Sequence, residues 1–135
     1  NYVSASNASS KKKMTGNFDF SMKDLDFTGT KPMSITFDGE TKVISTNAEI
    51  FISVVEYVFK LNKEKLLQIS KDEWTPKHRV IITEDQSKLT RGYELLRGGI
   101  YVEINLSAKD ITSYSVKLLD EFAVDKSKIS VYIPD

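Results

Sequence analysis

From Met33 to Phe37 apolar and hydroxyl side chains alternate without a break, and the next two residues are Asp38-Gly39. A period of two puts Met33, Ile35 and Phe37 on one face of a strand and Ser34 and Thr36 on the other, so one face is expected inward. Asp-Gly supplies the positive-φ positions of a tight two-residue turn whose twist suits antiparallel strands. The chain must therefore double back, and Glu40–Ser45, with Val43 and Ile44, is the expected partner strand. A hairpin with one apolar face rules out an all-helical fold and requires another element to cover that face.

The cover follows at once. Thr46 stands three residues before Glu49, the spacing of a capping box in which each side chain accepts a backbone N–H orphaned at a helix start. Ile50, Phe51, Val54, Val55, Val58, Phe59 and Leu61 recur at three- and four-residue spacings, and Ile52 and Tyr57 widen the apolar arc, so this helix is expected at the centre of the core. Asn62–Ser70 continues or follows it as a shorter amphipathic piece with Leu66, Leu67 and Ile69 inward, and Trp74-Thr75-Pro76 ends any helix. Val80-Ile81-Ile82 reads as a short buried strand. Ile100, Val102 and Ile104 alternate with Tyr101, Glu103 and Asn105 in a second, and a loop or irregular hairpin punctuated by Gly92, Gly98 and Gly99 joins the two. Ser107 with Asp110 repeats the capping signal, and Ile111, Tyr114, Leu118, Leu119 and Phe122 give the next helix its inward stripe. Ile129, Val131 and Ile133 close the chain as a strand. The expected fold is α+β: two hairpin-then-helix units plus a C-terminal strand, forming a mainly antiparallel sheet packed against two helices.

With 135 residues and 40% hydrophobic content, the chain has room for one core. Residues 1–17, rich in Ser, Asn and Lys, carry too little apolar area to offset the entropy of ordering them and read as a tail or linker; 18–135 reads as the domain. Phe18, Phe20 and Phe27 suit an arm or short strand docked on it. Beginning without methionine, the chain is expected to be a piece of a longer one, with an upstream domain as one candidate partner. Nineteen acidic residues balance nineteen basic ones, so no global field draws the surface to nucleic acid or an anionic membrane. Apolar runs fall well short of the roughly 20 residues a membrane span needs, and no membrane contact is expected. With no cysteine, disulfides, thiolate metal sites and cysteine nucleophiles are excluded; the composition suits a cytoplasmic, reducing setting.

His78 is the single histidine, so any histidine-dependent catalysis must use it. Lys77 and Arg79 flank it, and neighbouring cations disfavour the imidazolium and a bound metal ion alike; an exposed loop histidine is the expectation. Asp24 or Asp26 with Glu40-Thr41-Lys42 outlines the Asp…Glu-x-Lys pattern of metal-dependent nucleases, in which carboxylates hold the ion and lysine stabilises developing charge, but Glu40 falls at the hairpin turn. The glycines lack the spacing of a phosphate-binding loop. The chain is read as non-catalytic and without a cofactor. Its most distinctive local feature is the connection from Lys77 to Arg97, where Lys77, Arg79, Lys88, Arg91 and Arg97 outnumber Glu84, Asp85 and Glu94. Tyr93 lies among these cations and a helix start follows, a composition suited to nucleic acid or another anion, or simply to a solvated loop whose cations pair with neighbouring carboxylates.

The stretches Phe27-Thr28-Gly29-Thr30-Lys31-Pro32-Met33-Ser34-Ile35-Thr36-Phe37-Asp38-Gly39 and Gly99-Ile100-Tyr101-Val102-Glu103-Ile104-Asn105-Leu106-Ser107-Ala108 resemble a small domain of uncharacterised function appended to bacterial and archaeal restriction-type or mobile-element proteins. The resemblance spans roughly 27–133. The family pattern carries Arg and an aromatic-Ser segment ahead of Tyr-Val-Glu-x-Asn-Leu-Ser-Ala; here Arg79 is kept and Val80-Ile81-Ile82-Thr83 replaces the rest, so the resemblance supports the domain more than any ligand. It implies an accessory interaction domain of a prokaryotic nucleic-acid-processing system, binding a protein partner or an upstream domain of its own chain. Direct DNA or RNA binding through the basic 77–97 connection is the alternative, and a metal-dependent nuclease the third reading.

Overall fold

The structure, a computed structural model, describes residues 15–135. The tail expected over 1–17 lies outside the described residues except at its end, where Gly16 and Asn17 belong to β1 (Gly16–Asp19) and pair with Ile133 and Tyr132. β2 (Ser34–Phe37) and β3 (Glu40–Val43) form the expected hairpin, with Ser34 opposite Val43 and Phe37 opposite Glu40. Asp38 and Gly39 both have positive φ, 48° and 89°, the turn geometry that follows strand twist.

Helix α1 (Asn47–Leu61) starts at Thr46, where the Glu49 N–H donates to the Thr46 hydroxyl and the Glu49 carboxylate accepts the Thr46 and Ser45 N–H groups. Such a box stabilises a helix by about 1 kcal/mol. Asn62 ends α1 and caps α2 (Lys63–Lys71) by accepting the Lys65 N–H. α2 stops where Glu73 turns to φ 63°, and Trp74 then bridges to Ile82. β4 (Ile82–Thr83), β5 (Tyr93–Leu96) and β6 (Ile100–Glu103) follow, then α3 (Ala108–Glu121), capped by Ser107, and β7 (Ile129–Ile133).

The antiparallel α+β arrangement is as expected, divided between two sheets of order β1-β7-β2-β3 and β4-β6-β5. β7 enters the middle of the first sheet, with Val131 facing Phe18 on one side and Ile35 on the other. Buried on both flanks, it carries Ile129, Val131 and Ile133 into the core. α1 packs chiefly on α3 and touches β2, while α2 touches β4 and β6. Phe51 of α1, Tyr114 of α3 and Trp74 form a trio of rings 6.2–6.4 Å apart, tying both helices to the approach to β4; such ring pairs add about 0.5–1.5 kcal/mol beyond area burial.

Period alone misplaces several side chains. Met33 precedes β2 and is 51% exposed, Val43 lies on the edge strand β3 at 79%, and Leu61 at the last turn of α1 is 53% exposed. Each sits where an element ends or a sheet has no neighbour, so the face that periodicity assigns has nothing to cover it. The connection before β6, expected as a loop or irregular hairpin, contains the strand β5, which pairs with β6, and Glu103, expected to alternate outward, is fully buried.

Candidate interaction surface

Glu103 organises the 77–106 region. Its Oε1 accepts the N–H groups of Thr90 and Arg91, both at 3.1 Å, and the Thr90 hydroxyl at 3.2 Å; its Oε2 accepts the Asn105 N–H at 3.2 Å. Arg79 completes the arrangement. Its Nη1 donates to the Thr90 hydroxyl at 2.9 Å and lies 4.0 Å from Oε1, while Nη2 donates to the Asn105 carbonyl at 3.2 Å. A buried carboxylate is costly without such donors. Here it gathers the two strands of loop, 90–91 and 105, that the β5–β6 hairpin leaves without ladder partners.

Three of the five cations have acidic partners. Lys77 pairs with Asp110 at 2.9 Å, its Nζ 5.5 Å from the centre of the Tyr114 ring; Asp110 holds the Lys77 ammonium above its ordinary range. Lys88 reaches Glu73 at 3.7 Å, and Arg79 is taken up as described. Arg91 uses its backbone N–H on Glu103, and its side chain, like that of Arg97, is exposed. These two flank β5 at opposite ends. His78 is exposed in the loop between Lys77 and Arg79. Of the nuclease outline, Asp26 turns back on Thr28, whose hydroxyl and N–H hold that carboxylate below its usual range, Lys42 pairs with Glu56 at 2.9 Å, and Glu40 closes the hairpin opposite Phe37. Among the described residues no three His, Asp or Glu side chains gather as ligands of one ion would. No helix among them is long and apolar enough to cross a membrane.

What the region does present is a sheet face. Directly paired residues in antiparallel strands share a face, so the pairs Tyr93–Glu103 and Leu95–Tyr101 put these four side chains together. Glu103 is covered by the 90–91 loop. Tyr93 and Leu95 remain 48% and 58% exposed, and Tyr93 packs edge-on against Tyr101 with ring centres 5.5 Å apart. β5 ends its sheet, so one backbone edge of the strand has no neighbouring strand among the described residues. Sequence reasoning centred on the cations passed over both Glu103 and the Tyr93–Leu95 pair. Their signals were the two-residue spacing of Tyr93 and Leu95, and a lone acid within an otherwise apolar strand.

No family model, curated protein or solved structure matches the chain.

Proposed function

We propose that this chain is a non-catalytic interaction module that accepts an extended segment of a protein partner, or of another domain of its own chain, as an added strand along β5. The observation that carries this reading is that β5 is an edge strand presenting Tyr93 and Leu95 outward beside Tyr101. In strand addition, main-chain hydrogen bonds supply affinity and alternate side chains supply selectivity. Natural edges are commonly blunted by lysine, proline or a bulge. β5, Tyr-Glu-Leu-Leu, has neither lysine nor proline, its one charge being Glu94; Tyr93 is of the kind that anchors protein interfaces, and Leu95 adds exposed apolar surface beside it. Glu103 supports the reading by fixing the loops on either side of the hairpin, which spares a partner the cost of ordering them. The setting, an accessory domain of a restriction-type or other nucleic-acid-processing system, is what the motif resemblance implies.

Selection of peptides from a random display library, followed by amide exchange on the bound domain, tests this. Extended peptides with alternating apolar residues should slow exchange along Tyr93–Leu96, and Leu95→Lys should weaken them at least about tenfold while leaving the unfolding midpoint unchanged. Binders that leave β5 unprotected would overturn the reading. Binding of a mixed-sequence duplex that weakens steeply with salt, as phosphate contacts require, and that is lost on neutralising Arg91 and Arg97, would put direct nucleic-acid binding in its place.

A further inference from the structure

The opposite side of the same hairpin encloses a second feature. Leu95 and Leu96 are neighbours on β5 and point to opposite faces: Leu95 is exposed, whereas Leu96 is buried and lines a cavity of about 130 Å³ together with Glu56, Phe59, Lys60, Leu66, Arg97 and Ile100. The hairpin is held over this space by the turn at Gly98. There φ is 78°, and a Cβ would stand 3.2 Å from the Phe59 ring and 3.3 Å from Leu67, so the turn rests directly on α1 and α2. Leu66 and Ile100 back the space without exposed surface of their own, and the apolar floor reached from the mouth is that of Phe59 and Leu96.

The mouth differs in chemistry from the floor. Among the described residues, neither Lys60 nor Arg97 has a carboxylate within ion-pair distance. The single acid of the lining, Glu56, is engaged by Lys42 at 2.9 Å. An apolar floor under uncompensated cations matches a ligand with an apolar body and an anionic end. Cavities of this size, about 150 Å³, take up a single benzene ring, which limits the body to roughly six carbons.

We propose that the cavity beneath the β5–β6 turn binds a small organic carboxylate, its apolar body against Phe59 and Leu96, with Leu66 and Ile100 directly behind, and its carboxylate at the mouth facing Arg97 and Lys60. An arginine suits this position because its planar donors match a carboxylate. The site lies on the inner side of the hairpin and does not depend on strand addition along β5.

Methyl and amide NMR titrations of the intact chain with benzoate, benzyl alcohol and inorganic phosphate separate the contributions. Benzoate should produce saturable shifts at Leu66, Leu96 and Ile100. Benzyl alcohol, with the same ring but a neutral end, should bind about tenfold more weakly, and phosphate should leave the three residues' methyl groups unmoved. Arg97→Gln and Lys60→Gln together should bring benzoate down to the level of the alcohol while the chain stays folded, both side chains being exposed. Absence of saturable shifts at about 10 mM benzoate, equal affinity for the alcohol, or unchanged benzoate binding in the double variant would each overturn the proposal.

Discussion

Replacing Glu103 by Gln tests the reading of this side chain as the organiser of the 77–106 region, because the change keeps shape and removes charge. The best placement of the amide leaves its oxygen at the Oε1 position, where it still accepts from the Thr90 N–H, the Thr90 hydroxyl and the Arg91 N–H. Its NH2 then meets the Asn105 N–H, donor against donor. Flipping the amide is worse, since three donors would face the NH2. One buried N–H left without an acceptor costs about 1–3 kcal/mol, and three bonds that change from charge-assisted to neutral lose about 0.5 kcal/mol or more each. The sum is about 3 kcal/mol. Glu103→Ala strands every donor and opens a cavity, so it should cost more, about 5 kcal/mol. Urea unfolding followed by the fluorescence of Trp74, the one tryptophan, which is bridged to Ile82 in the same sheet, measures both. Amide exchange should show Thr90, Arg91 and Asn105 released in Glu103→Gln while β7 keeps its protection. A loss below about 0.5 kcal/mol with those amides still protected would refute the assignment of Glu103 as the frame of the region.

At the end of α3 the Ala123 N–H donates to the Asp120 carbonyl and the Val124 N–H to the Leu119 carbonyl, a Schellman ending with alanine at φ 54°. Ala123→Gly should relieve that conformation and raise stability by about 1 kcal/mol, read as a higher urea midpoint at unchanged m-value. Gly98→Ala should lower stability by about 1–3 kcal/mol, since it strains the turn and presses on Phe59 and Leu67, and it should raise exchange along Tyr93–Leu96 before it affects β2. Stability should also fall in acid. Glu49 is held below its ordinary range chiefly by the Ser45 N–H, and Asp26, Asp85 and Asp125 chiefly by the hydroxyls of Thr28, Ser87 and Ser127. A depressed folded-state pKa means the unfolded chain takes up the proton first, so the stabilisation is complete above the unfolded-state values and is lost as pH falls through the folded ones. Urea midpoints should therefore be level from pH 7 to 5 and drop below roughly pH 4.3, with a smaller drop in Glu49→Gln.

Where local chemistry decided an element, the sequence was enough. Asp38-Gly39, Thr46 with Glu49, and Ser107 with Asp110 each complete their geometry within a few residues, and the structure has the turn and both caps in place. Partner choice was not legible, because the period of a strand says which residues share a face and nothing about which strand lies beside it. The insertion of β7 between β1 and β2 depends on contacts more than ninety residues apart in the chain. The partners of the candidate site residues were hidden for a related reason. That basic residues of this connection would pair with carboxylates was legible, but which carboxylates was not: Lys77, Arg79 and Lys88 find Asp110, Glu103 and Glu73, brought in by the fold. Glu103 is the converse case. An isolated acid in an apolar strand looks like the solvent face of a period-two pattern, yet the 90–91 loop crosses it and turns its two oxygens into the anchor for four donors. With Lys77, Arg79 and Lys88 engaged by acids, Tyr93 and Leu95 stand exposed beside the half-covered Tyr101, between the exposed Arg91 and Arg97, and it is these two side chains on an edge strand, rather than a concentration of charge, on which the proposal of strand addition rests.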